Sequence, residues 1–65
     1  MKDYINSHMA HIIDEHIHNE KHRKVLKLHF IDGWTYQEIA DKVEMSPRNV
    51  GYVIANNVEK IERLL

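Results

Sequence analysis

Cysteine is absent from the chain, which excludes disulfide staples and thiolate metal sites. Only two glycines and one proline interrupt it, at Gly33, Gly51 and Pro47. Strand signals are missing as well, which leaves little material for an architecture of hairpins and tight turns. No apolar run approaches the roughly 20 residues that a membrane span needs. No signal-peptide pattern opens the sequence, so the expected location is cytoplasmic. Charge of one sign is also lacking, the formal net charge being -1. With 65 residues the core is necessarily small, and without disulfides its stability must come from well-matched helix packing or from a second chain. The hydrophobic content of 43% and charged content of 29% are those of a folded, soluble chain.

The near-neutral total hides an uneven distribution. Residues 1–20 set Lys2 against Asp3, Asp14, Glu15 and Glu20. Residues 21–30 carry Lys21, Arg23, Lys24 and Lys27 with no acid. Residues 31–47 set Lys42 against Asp32, Glu38, Asp41 and Glu44. A local basic cluster says more about partners than the sum does.

Apolar residues recur at helical spacing almost throughout, which predicts an all-α fold: a compact three- to four-helix domain. A first helix is expected over residues 3–18, with Asp3 as N-cap and Ile5, Met9, Ile12, Ile13 and Ile17 on one face. A second runs from about Glu20 to Ile31. Asn19 is its candidate cap, Val25, Leu26, Leu28 and Phe30 form its buried side, and Asp32-Gly33 is its stop. The spacing leaves open whether the chain breaks at Asn19 or continues as one long helix. The third helix has a sharp start: Thr35-Tyr-Gln-Glu38 fits a capping box, and Trp34 and Ile39 can close a hydrophobic staple around it. It is expected to run to about Val43. The fourth starts at Ser46 as N-cap with Pro47 in the first turn, where a missing N–H costs nothing. Its apolar face reads Val50, Ile54, Val58, Ile61 and Leu65.

Residues 36–55 thus describe a short helix, a three-residue turn and a capped helix, the plan of a C-terminal helix-turn-helix within one domain spanning residues 1–65. Ala40 offers the small side chain such a crossing needs. Ile39, Val43, Met45, Val50 and Ile54 sit at offsets that lock the angle. Pro47, Arg48, Gly51, Tyr52, Ala55 and Asn56 are left on the outer face.

The run from Phe30 through Asp32-Gly33, Thr35-Tyr-Gln-Glu-Ile-Ala40 and Ser46-Pro-Arg-Asn-Val50 resembles the fourth conserved region of sigma-70-type RNA polymerase sigma factors. It looks closer still to small sigma-like regulators of phages and prophages. The resemblance covers residues 20–58 and implies a DNA-binding helix-turn-helix with double-stranded DNA, and RNA polymerase, as partners. This chain departs from the family pattern in two places. Glu44 stands at the turn position usually held by glycine. Gly51, Tyr52, Asn56 and Asn57 follow Val50 where family members often carry several Lys or Arg.

Under this reading, Arg48, Tyr52, Asn56 and Gly51 are the candidate base contacts. The planar fork of Arg48 suits guanine O6 and N7, Asn56 suits adenine, Tyr52 suits a thymine methyl or a phosphate, and bare Gly51 would let the backbone come close. Ser46, Thr35, Lys42, Arg23, Lys24 and Lys27 are the candidate phosphate contacts. Val58, Ile61, Leu64 and Leu65 either fold back on the first helix or pair with a twin chain, making a homodimer an open expectation.

The alternative reading is a protein-interaction module that reuses the fold to grip RNA polymerase or a host protein. Its support is the scarcity of Lys and Arg on the outer face. Six histidines fall in the first half: His8, His11, His16, His18, His22 and His29. The His18/His22 spacing suits two ligands on one helix face. No His-Glu-x-x-His pattern accompanies it, so no metal or other cofactor is expected. Ser7 and Ser46 have no triad spacing and no glycine-rich phosphate loop is present, so an enzyme is not expected.

Overall fold

Four helices follow one another in a computed structural model that describes the backbone of residues 2–65 and the side chains from Asn6 onward: α1 (Lys2–His16), α2 (Glu20–Phe30), α3 (Tyr36–Val43) and α4 (Pro47–Leu64). Each boundary has a local cause. Helix α1 is already under way at Lys2, ahead of the Asp3 expected to cap it. The Ile5 side chain lies outside the described residues. The chain does break before α2. The Asn19 side chain accepts the His22 N–H at 3.1 Å and opens the second helix, because an extended Asn offers the oxygen that a new helix start lacks. Helix α2 ends one residue earlier than expected, and Gly33 at φ 72° turns the chain toward α3.

The capping box forms as the sequence predicts. Thr35 N–H donates to Glu38 Oε1 at 2.8 Å and Glu38 N–H donates to Thr35 Oγ1 at 3.2 Å. Helix α3 ends in Glu44, whose backbone lies at φ 57° and ψ 49°. A left-handed non-glycine residue costs on the order of 1 kcal/mol. Two hydrogen bonds to the Ala40 carbonyl, from the N–H groups of Glu44 and Met45, hold the turn. Ser46 then caps α4 by accepting the Asn49 N–H at 3.1 Å, with Pro47 in the first turn.

All four helices meet in one core. Ile13 and Ile17 from α1 and its end pack with Val25 and Leu26 of α2, Ile39, Ala40 and Val43 of α3, and Val50, Val53, Ile54 and Ile61 of α4. Trp34 and Met45, the expected staple residues, are partly buried against it. The Cα radius of gyration of 11.1 Å is close to the roughly 10.7 Å expected for a folded chain of this length.

Two expectations for the core need correcting. Leu28 and Phe30 reach it only partly. The buried stripe of α4 includes Val53 and passes by Asn57, whose amide donates to the Val53 carbonyl at 2.7 Å. It leaves Val58 half-buried and Leu65 54% exposed. Of the four residues named for a possible dimer seam, Ile61 is 1% exposed inside this chain's own core, while Leu64 and Leu65 stay 38% and 54% exposed.

Candidate nucleic-acid interface

The helix-turn-helix crossing is built on Ala40 and Val50, 3% and 0% exposed. Their short side chains let α3 and α4 approach closely, and Ile39 and Ile54 fill the space on either side. With that face of α4 buried, geometry turns the opposite one outward: Pro47, Arg48, Tyr52, Ala55 and Asn56 are all exposed. A helix whose outer edge is free has the form that enters a major groove.

The side chains on that edge are arranged, not merely exposed. The Arg48 Nε–H donates to the Tyr52 hydroxyl at 3.1 Å. The guanidinium carbon lies 5.8 Å from the centroid of the same ring, within reach of a cation–π attraction. The two residues are one helical turn apart, the spacing at which side chains on a helix surface meet. Tyr52 and Asn56 line a shallow groove with Asn49, Asn57 and Met45, and the far wall of that groove is His22 of α2. Neither Asn49 nor His22 was among the DNA contacts expected from the sequence. For Asn49 a signal was available: positions 49, 52 and 56 fall on one helix face. For His22 none was, because only the tertiary fold brings α2 beside α4.

Gly51 lies beside Tyr36: a Cβ placed on it would stand 3.4 Å from Cε2 of the α3 tyrosine, an ordinary van der Waals contact. The other side of the Tyr36 ring region meets His29 edge-on, with centroids 5.5 Å apart, and His29 in turn meets Phe30 at 4.9 Å. This aromatic column seats the start of α3 against the end of α2 and the second turn of α4. Tyr36, 43% exposed, thus stands beside Gly51 and the outer edge as a further polar group that the sequence reading overlooked.

The phosphate candidates separate into two groups. Ser46 and Thr35 sit at the starts of α4 and α3. Each hydroxyl oxygen accepts a backbone N–H, and each keeps a proton to donate. Asn49 N–H is taken by Ser46, Val50 N–H by the Ser46 carbonyl at 3.0 Å, and Pro47 has none. The Arg48 N–H is therefore the donor that this helix start directs outward. Lys42 and Lys24 line a shallow depression between α2 and the end of α3, together with Lys21, Glu20 and Glu44.

Arg23 and Lys27 line a second depression, which shares Glu20 and Lys24 with the first. Asp14 of α1 lines it too, and Lys27 Nζ pairs with Asp14 Oδ1 at 2.7 Å. That hydrogen bond, with the charges of Lys27, Arg23 and His11 behind it and a desolvation effect opposing, holds the Asp14 carboxyl below its usual value. In the free chain Lys27 thus already has a carboxylate partner on the surface. Among the described residues no group of three His, Asp or Glu side chains converges as metal ligands would, and no helix is long and apolar enough to cross a membrane.

The sequence profile of sigma-70 region 4 matches residues 19–55, from the Asn19 cap to the outer face of α4. The chain belongs to the sigma-70 region 4 family. Region 4 of these factors is a DNA-binding helix-turn-helix of transcription initiation that also binds the RNA polymerase core. No curated protein matches the chain significantly, and no solved structure does. The matched segment begins after α1 and stops within α4, so α1 and the end of α4 from Asn56 onward lie outside the family profile.

Proposed function

We propose that this region 4 domain is a sequence-specific, non-catalytic regulator of transcription that lays α4 into the major groove of duplex DNA. The observation that carries this reading is the division of α4 into a buried stripe, Val50–Val53–Ile54–Ile61, and an exposed edge led by Arg48. Arg48 reads a base. Asn56 reaches a second base two turns further along the same edge. The Arg48 N–H, the Ser46 and Thr35 hydroxyls, Lys42 and Lys24 grip phosphates on either side. So few phosphate contacts give weak binding that falls steeply with salt.

Selection from randomised duplexes at low salt tests the reading. One short motif should be enriched by the native chain, and Arg48→Ala should lose that enrichment. Retention of no duplex at the lowest salt would overturn it.

A second reading has its own support. The outer edge of α4 carries a single cation, and Lys27 is tied to Asp14, so a protein surface is a competing partner. Stable binding of purified RNA polymerase core by a chain that retains no duplex would favour an interaction module.

A further inference from the structure

Resting on the DNA-binding reading above, we propose that Tyr52 is a positioning residue: it holds the Arg48 guanidinium so that only its two terminal amino groups face the groove, which makes the site select guanine at one position.

An arginine side chain carries five N–H donors, one on Nε and two on each Nη. It can grip a pair of acceptors in two ways: side-on with Nε and one Nη, or end-on with both Nη. In this chain the Nε–H is spent on the Tyr52 hydroxyl at 3.1 Å. The side-on fork is closed and the end-on fork is left open. Guanine presents O6 and N7 side by side in the major groove, two acceptors with no donor between them. Adenine replaces one acceptor by an amino group, and that group would meet an Nη–H head-on.

The 5.8 Å approach of the guanidinium to the Tyr52 ring adds a second restraint on the same group. The residues on either side leave the pair undisturbed. Gly51 has no side chain, and Asn49 and Asn56 are uncharged, so no carboxylate on the outer edge between Pro47 and Asn57 competes for Arg48. A free arginine samples many orientations and accepts several acceptor pairs. A tethered one gains selectivity from its restraint.

Tyr52→Phe removes one oxygen and keeps the ring. The full chain, the Tyr52→Phe and Arg48→Ala variants and their double variant are titrated with the selected duplex. The same titrations use duplexes in which each base pair is replaced in turn. The native chain should favour guanine at one position by about 5- to 150-fold. Tyr52→Phe should keep duplex binding and lower the preference at that position alone, several-fold. In the Arg48→Ala background the same change should have no further effect there. The nitrogen-15 signal of Arg48 Nε–H, with its contact to the Tyr52 ring protons, should be protected from exchange in the native chain and lose protection in Tyr52→Phe.

An unaltered base preference in Tyr52→Phe overturns the proposal, as does a change at a second position that persists without Arg48. The second result would make Tyr52 a base reader in its own right. Failure of the native chain to retain any duplex sinks the DNA-binding reading and this inference with it; duplex binding with an unresponsive Tyr52→Phe sinks the inference only.

Discussion

Helices α2 and α4 divide between them what one DNA-binding surface usually combines. Helix α2 carries four cations in eleven residues, yet Lys27 is paired with Asp14 and Arg23 lines the same depression as that carboxylate. Helix α4 carries a single cation in its first two turns, and that one is held by a tyrosine on an exposed edge. The difference teaches that charge density and reading capacity are separate properties of a helix. The first follows from composition. The second follows from which face the core leaves free and from what restrains the side chains on it. Helix α2 serves chiefly as a wall of the core, through Val25 and Leu26, and most of its charge is solvated or internally matched.

The sharpest way to break this comparison is to attack the wall. Leu26 is fully buried, so Leu26→Ala should destabilise the fold by about 2–5 kcal/mol, read by urea unfolding followed by circular dichroism. In so small a domain that is enough to unfold much of the population. A loss under 1 kcal/mol would mean that α2 is not a structural wall.

Arg48→Ala should do the opposite. We expect a stability change within about 0.5 kcal/mol, as for other exposed surface positions, together with loss of about 1–3 kcal/mol of base discrimination in competition titrations.

Thr35→Ala removes one half of the capping box and should cost about 1 kcal/mol of stability. The effect belongs to α3, and base preference at the Arg48 position should be retained.

The smaller tests concern the cations themselves. Lys42→Ala should reduce the slope of log affinity against log salt by about one, whereas Lys27→Ala should leave it nearly unchanged. Equal slopes for the two variants would dissolve the distinction drawn here between outward and internally matched cations.

Last comes Asp14. Its folded-state pKa is depressed below the usual 3.8. Its contribution is therefore present above that value and is lost as pH falls through the folded one. Asp14→Asn should remove this part of the acid sensitivity, seen as a small change in the low-pH limb of a thermal-melt series with the neutral-pH behaviour of α4 unaltered.

What was legible in the sequence follows the same division between local and distant causes. The caps at Thr35 and Ser46 and the stop at Asp32-Gly33 depend on residues within one turn of each other, and the sequence displays them directly, whereas the break at Asn19 was one of two open alternatives and the turn at Glu44 was known from the family pattern. The outward edge of α4 was legible too, because the buried stripe dictates its complement. Three tertiary neighbourhoods were not: Gly51 lies beside Tyr36 fifteen positions away, Lys27 pairs with Asp14 across the α1–α2 junction, and Ile61 enters a core that an apolar pattern alone cannot tell from a dimer seam. The Arg48–Tyr52 pair is an intermediate case: its four-residue spacing was visible, but which donor Arg48 would commit needed coordinates.

One feature of the fold bears on how such a domain can be handled or rebuilt. Ile12, Ile13 and Ile17 are almost wholly sequestered, yet all three precede residue 19, where the shared family segment begins. Excising the segment by its profile boundaries would remove Ile61 as well, strip the insulation from Val25 and Leu26 and leave a sticky scar. Anyone transplanting this reading head onto another protein should therefore carry the leading helix with it, or supply a foreign greasy plug of the same contour.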